Sequence, residues 1–348
     1  MADDQASEGV VSLNIGSKHR SGSHFLGLLI FMIGFIFCVT QHAPLEAHPI
    51  SPGTHVVGSS SMTVGTPTVD SNGVKYYPVT SIYQGFETLI VRVLEPTRPA
   101  PGKPHRLVFV LPVGTGVENL NSRWSDGIEE LRLLDVPNRY NMTLIAPSFS
   151  YEPWYGDNDL NPAHDMESFV VNDLVPFGEM FAKDKNTPRL LLGYSKSGNG
   201  ALDLILRHPD VFDDAAIWDC PAELSSLSAF RNLKANFGTQ ENYDQYNIPA
   251  LIVKNAKAFR KEPRLWISGD RSVFTADMIR LHGQLEAAAI PHLWVEGATR
   301  VHNWHSGWLT GAIEGLDVLT SPTKSSSTPT QVAQGTPRPS DSVVAASH

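Results

Sequence analysis

Cysteine is almost missing from this chain: Cys38 and Cys220 are the two in 348 residues. That excludes a disulfide framework and a thiolate–metal cluster. Cys38 falls in an N-terminal apolar run, so a processed chain keeps Cys220, which reads as a small buried hydrophobe near a strand end. Basic residues are also scarce, 27 Lys and Arg against 36 Asp and Glu, giving a net charge of −9. Nucleic acid needs a basic footprint, so that class of partner is excluded. No internal repeat is present, and no motif for a metal, nucleotide or flavin, so neither metal nor cofactor is expected. The apolar run from Phe25 to Val39 stops short of the roughly 20 residues of a bilayer-spanning helix.

What remains is ordinary globular composition, 41% hydrophobic and 18% charged. It suits one α/β domain of roughly 250 residues with flanking segments. Residues 1–47 read as a signal peptide or an N-terminal anchor. Lys18 and Arg20 precede the apolar run and a polar stretch, Gln41 to Ala47, follows it. Cleavage implies export, periplasmic or secreted. Gln41 and Leu45 are not the small residues wanted three positions before a cut after Ala43 or Ala47, so a membrane anchor is the alternative. A membrane is a partner only in that case. Residues 48–67, rich in Ser, Gly, Thr and Pro, read as a linker. The folded domain is expected over 68–320, and the Ser/Thr/Pro/Gln-rich 321–348 as a disordered tail.

Inside the domain, strand-like and helical segments alternate. Strands are expected at Val74–Thr80, Phe86–Leu94, Arg106–Leu111, Met142–Ala146, Leu190–Leu192, Asp214–Trp218, Arg264–Ser268 and His292–Val295. Helices are expected at Trp124–Leu134, Phe169–Ala182, Gly198–Arg207, Thr275–Ala288 and Trp304–Leu319. Such alternation predicts an α/β fold: a mostly parallel central sheet, helices on both faces, right-handed crossovers. Residues 221–263 have helical character and are expected to form a small helical cap.

The stretch Leu-Leu-Leu-Gly-Tyr-Ser-Lys-Ser-Gly-Asn-Gly, Leu190 to Gly200, reads as strand, sharp turn, helix, with Ser195 at the apex. A serine there takes a strained backbone, and its neighbours two residues away must be small; Gly193 and Ser197 meet that demand, Ser197 supplying only smallness. This resembles the nucleophile elbow of the α/β-hydrolases in a Gly-x-Ser-x-Ser spelling, with an ordinary Gly/Ser-rich loop as the alternative. Its serine needs a general base and an acid to orient that base, in the chain order Ser, acid, His. Asp270 follows the strand Trp266–Ser268, and Asp219, which also follows an apolar strand, is an alternative acid. His302 follows the last strand, with His305 as an alternative base. For the oxyanion hole, the N–H of Lys196 is expected to act with that of Val113 or Gly114, in the loop Pro112–Gly116.

Three stretches resemble the putative-esterase family of esterase D, feruloyl esterases and mycolyltransferases. Gly-Tyr-Ser-Lys-Ser-Gly-Asn-Gly-Ala-Leu is similar to its elbow. Trp154-Tyr155-Gly156-Asp157 with Met166 to Pro176 is similar to its Trp-Tyr and Glu-Ser-Phe segment. His302-Asn303-Trp304 followed by Trp308 is similar to its terminal His-Asp/Glu-Trp motif. The resemblance implies Ser195 as nucleophile, Asp270 as acid and His302 over His305 as base. The chain departs from the family at Lys196 (for Met), Ser197 (for Gly), Asn303 (for an acid) and Pro112-Val113 (for His-Gly), and one extra residue separates Trp304 from Trp308.

The expected protein is therefore an exported serine esterase of α/β-hydrolase fold, acting through an acyl-enzyme on a small-molecule or polysaccharide-linked ester. Acyl transfer to a sugar or lipid acceptor, and a non-catalytic binding protein on the same fold, are the alternatives. Trp154, Tyr155, Trp218 and Trp304 are expected as pocket walls. Lys196 either places a cation at the pocket mouth, favouring anionic substrates, or is a solvated helix-start lysine.

Overall fold

The computed structural model describes residues 60–297 and 299–321, together with the backbone of His55–Val56. The N-terminal apolar run, half of the linker (48–54 and 57–59) and the tail beyond Ser321 lie outside the described residues. Among the described residues, no helix is long and apolar enough to cross a membrane.

Eight strands form the body of the sheet: β1 (Lys75–Thr80), β2 (Leu89–Leu94), β3 (Arg106–Val110), β4 (Met142–Pro147), β5 (Arg189–Tyr194), β6 (Asp214–Trp218), β7 (Leu265–Ser268) and β8 (Leu293–Val295). Their order is β1-β2-β4-β3-β5-β6-β7-β8. Strand β2 runs antiparallel to both its neighbours, and every pairing from β4 to β8 is parallel. Three two-residue strands, His55–Val56, Thr63–Val64 and Thr68–Val69, extend the β1 side. Two residues are too few to show a strand period, which is why the sequence does not announce them.

The central strands are buried on both faces, as their continuous apolar runs require of a parallel sheet. In β3 the side chains alternate: Leu107 and Phe109 enter one core, Val108 and Val110 the other. Each such side chain, fully buried, contributes about 1.5–3 kcal/mol. One face is covered by α1 (Gly127–Leu133), α2 (Val136–Tyr140) and the C-terminal helix Trp308–Leu319. The other is covered by the helical run α3 (Met166–Ser168, π-helical Phe169–Leu174, Val175–Glu179) and α4 (Ser195–Arg207), with Ile248–Phe259 and Thr275–Ala287 further along. Pro176 has no N–H to offer the carbonyl four residues back, and the run α3 passes through its π segment just before it.

The 221–263 segment divides in two. Its short helices α5 (Leu233–Phe237) and α6 (Gln240–Asp244) pack in a separate cluster with Trp154 and Tyr246. Its last helix, α7 (Ile248–Phe259), belongs to the main core, through Leu251, Ile252 and Phe259. After it come α8 (Thr275–Ala287) and α9 (Trp308–Leu319). Helix α9 starts four residues later than the sequence suggests, because Trp304 lies in a turn and Gly307 (φ 80°) precedes the helix.

Glu167, from the Glu-Ser-Phe stretch, fastens the far end of the serine-bearing helix. Its carboxylate accepts from Arg207 Nε at 2.6 Å and from the Tyr246 hydroxyl at 2.8 Å, and lies 2.6 Å from His208 Nε2. The stretch is therefore a packing device on α4, remote from the serine by the length of that helix.

Candidate active site

Strand β5 ends at Tyr194, and the chain turns at once into α4 with Ser195 as its first residue. Ser195 has φ 56°, the left-handed region, which costs a non-glycine residue about 1–3 kcal/mol and persists where the surroundings over-determine it. Two contacts do so. The Ser195 N–H donates to the Asp219 carbonyl at 3.1 Å, tying the turn to the end of β6. The Ser197 hydroxyl donates to the Tyr194 carbonyl at 2.8 Å and accepts from the Tyr194 N–H at 3.2 Å. Ser197 thus does more than stay small: its hydroxyl pins Tyr194, the residue before Ser195. At Gly193 any side chain is excluded, since a Cβ would sit 2.3 Å from the Ser197 carbonyl oxygen.

His302 comes from the loop after β8. Its Nε2 lies 2.9 Å from Ser195 Oγ and its Nδ1 lies 2.5 Å from Asp219 Oδ2. Asp219 is fully buried. Its other oxygen accepts from the Ser272 hydroxyl at 2.6 Å and the Phe274 N–H at 2.8 Å. Burial alone raises a carboxyl pKa, but these bonds with the His302 bond outweigh it, and the Asp219 carboxyl titrates below its usual range. An ionised carboxylate only accepts, so His302 Nδ1 carries the proton and Nε2 of the neutral ring is left to accept from Ser195. The imidazole is held between two aromatic rings, Tyr194 at 5.2 Å and Phe274 at 5.7 Å.

Asp270, the acid expected from the sequence, is not the aspartate bonded to His302. Its carboxylate accepts from the Gly297 N–H at 3.1 Å and lies 3.6 Å from Arg271 Nε. It braces the start of the loop that carries His302, the turn role open to any aspartate beside a glycine. The acid that meets the histidine is the one after β6, reached because β6 lies between β5 and β7. His305 is turned away as well, its Nδ1 3.0 Å from Glu130 Oε2.

Comparison of the coordinates with solved structures finds a ferulic acid esterase (15% identity, TM-score 0.52, 76% of this chain and 99% of that one). It also finds an S-formylglutathione hydrolase from Agrobacterium tumefaciens (14%, 0.51, 76% and 96%). A third match is a fluorophosphonate-binding serine hydrolase of Staphylococcus aureus (11%, 0.55, 76% and 100%). Neither a protein-family model nor a curated protein matches the sequence. The chain has the α/β-hydrolase fold.

In this α/β-hydrolase fold the four aromatic residues expected as pocket walls are all buried. Trp154, Tyr155, Trp218 and Trp304 are 1, 0, 0 and 3% exposed. Trp218 stacks on Tyr194 at 5.5 Å, and Trp304 meets both rings edge-on at 5.4 and 5.1 Å, so the trio forms a floor under the elbow. Trp304 also borders a narrow cleft with Val113, Gly114 and Trp124. Trp154 packs on Leu233 and Phe237 and donates from its indole to Asn232 at 2.9 Å. Large aromatic side chains near strand ends serve the core when both faces are covered.

Lys196 is neither solvated nor a free cation. Its ammonium pairs with Glu152 at 3.0 Å and lies 5.9 Å from the centroid of the Trp154 ring. Burial lowers its pKa from the usual value, against the opposing pull of Glu152. Its backbone N–H stands in the first turn of α4, where amides have no intrahelical acceptor. Among the described residues, the N–H groups of Val113 and Gly114 have no protein acceptor either.

Three residues at the site escaped the sequence reading: Ser272 and Phe274, which hold Asp219, and Glu152, which neutralises Lys196. Ser272 and Thr275 form a local turn at the start of α8, Ser272 N–H donating to the Thr275 hydroxyl at 2.7 Å, but such a turn does not say which aspartate it serves. No cluster of three or more His, Cys, Asp or Glu able to hold a metal occurs among the described residues.

Proposed function

We propose that this chain is a serine hydrolase of carboxylic esters, with Ser195 as nucleophile, His302 as general base and Asp219 as the acid that orients it. The observation that carries the reading is the pair of bonds on one imidazole, 2.9 Å to Ser195 and 2.5 Å to Asp219. A serine hydroxyl is a weak nucleophile; an acceptor nitrogen on Oγ removes its proton as it attacks the ester carbonyl. Asp219 holds the tautomer and stabilises the imidazolium that forms. The tetrahedral oxyanion falls to the N–H of Lys196 with that of Val113 or Gly114. Collapse expels the alcohol, which takes the proton from His302, and water then repeats the sequence on the acyl-enzyme. Each compared structure is named for ester, thioester or fluorophosphonate chemistry, in keeping with this reading.

The protein is expected to act outside the cytoplasm, because Phe25 to Val39, with basic residues before it, has the make-up of an export signal. Fractionation of cells making the full chain, with N-terminal sequencing of the product, tests this part separately.

The enzymatic part is tested with a fluorophosphonate probe and p-nitrophenyl acetate. Wild type is expected to be labelled on Ser195 and to cleave the ester, and Ser195→Ala to do neither. Full activity in Ser195→Ala, or an inert wild type, contradicts the proposal.

A further inference from the structure

We propose that Tyr155 is a positioning residue that sets the direction of the oxyanion donors in the loop Pro112–Gly116. The inference rests on the esterase reading above and deepens it.

The loop is tied at both ends. Leu111 N–H donates to the Leu192 carbonyl at 3.0 Å, the Thr115 carbonyl accepts from Phe149 N–H at 2.8 Å, and Gly116 N–H donates to Glu118 Oε2 at 2.8 Å. Between these ties stand the residues expected to supply the donor. Pro112 has no N–H, and its carbonyl accepts a 2.5 Å bond from the Tyr155 hydroxyl. That carbonyl and the Val113 N–H belong to one planar peptide, on opposite sides of it. Holding the oxygen therefore fixes where the Val113 N–H points.

Tyr155 is itself immobilised. It is fully buried, with φ 63°, and its ring lies edge-on to Phe149 at 5.5 Å. Its other side fills the notch left by Gly200, where a Cβ would come within 2.1 Å of the ring. Gly200 sits on α4, the helix that begins with Ser195 and Lys196. One side chain thus rests on the helix carrying one donor and bonds to the loop carrying the other. Burial drives the phenol well above its usual pKa, so the hydroxyl remains a donor at working pH.

The test compares wild type, Tyr155→Phe and Gly200→Ala on p-nitrophenyl acetate, with phenylboronic acid as a reversible probe of the tetrahedral adduct. Tyr155→Phe keeps the ring and removes only the bond to Pro112. It is expected to lower kcat by about tenfold, a fraction of the loss on deleting a donor outright, with KM within about twofold. Affinity for the boronic acid should fall by a similar factor. Gly200→Ala, which displaces the ring without removing the hydroxyl, should lower kcat in the same direction and decides the matter if Tyr155→Phe does not fold. A lower melting temperature with kcat and boronic-acid affinity kept would mean packing alone and overturns the proposal. Wild type that is neither labelled by fluorophosphonate nor active removes the esterase reading and this proposal together; an active wild type with an equally active Tyr155→Phe removes only the proposal.

Discussion

Asp219 and Asp270 stand at the ends of adjacent parallel strands, yet His302 meets only the first, at 2.5 Å from Oδ2. Asp270 faces the Gly297 N–H instead, on the loop that leads toward the histidine. The two aspartates bond to different parts of one loop: Asp219 to the imidazole itself, Asp270 to the backbone that leads to it.

Lys196 directly follows Ser195, and its charge is masked. With Glu152 at 3.0 Å the pair presents no net charge to a substrate. Glu152→Gln unmasks the ammonium. The ratio of kcat/KM for p-nitrophenyl hydrogen succinate over p-nitrophenyl acetate is expected to rise about three- to tenfold, the size of one close Coulomb interaction screened by water, about 1 kcal/mol. Adding Lys196→Met should return the ratio to the wild-type value. An unchanged ratio in Glu152→Gln would show that Lys196 does not face the acyl group.

The Glu167 cluster gives the fold an acid limb. Burial disfavours the Glu167 carboxylate, but the bonds from His208 and Arg207 outweigh that and bring its pKa from 4.5 down to about 2. A folded-state value below the unfolded one means stability that is complete above about 4.5 and is lost as the pH falls through about 2. Glu167→Gln leaves Arg207 without its anion and is expected to cost about 3 kcal/mol at neutral pH, as for a broken buried pair. Urea titrations of both proteins from pH 2 to 7 check this. The wild-type stability should converge on that of the variant at the acid end, and parallel curves would rule the assignment out.

The sheet was legible because its central strands are apolar on both faces, as in Leu190 to Leu192, and a strand of that kind has few other places to go. The elbow was legible because a strained serine demands small neighbours. The acid was not. Both aspartates follow apolar strands and both fall between Ser195 and His302 in the chain, so order cannot choose between them. The choice is made by the β5-β6-β7 neighbourhood and by Ser272 and Phe274, contacts across more than fifty residues. The aromatic residues misled for a related reason. A tryptophan at a strand end has the same local sequence whether its ring lines an opening or fills the floor, and only the packing of Tyr194, Trp218 and Trp304 on one another decides. Ser197 carried no signal for its hydroxyl, since its partner is the backbone of Tyr194.

The most direct measurement is kcat for p-nitrophenyl acetate in Asp219→Asn beside Asp270→Asn, both confirmed as folded by circular dichroism. Losing the carboxylate that fixes the tautomer of a catalytic histidine costs about 10⁴ in kcat. Asp219→Asn is expected to show that loss, and Asp270→Asn to stay within about threefold of wild type. The opposite pattern, with Asp270→Asn inactive and Asp219→Asn near wild type, would contradict the account at its centre.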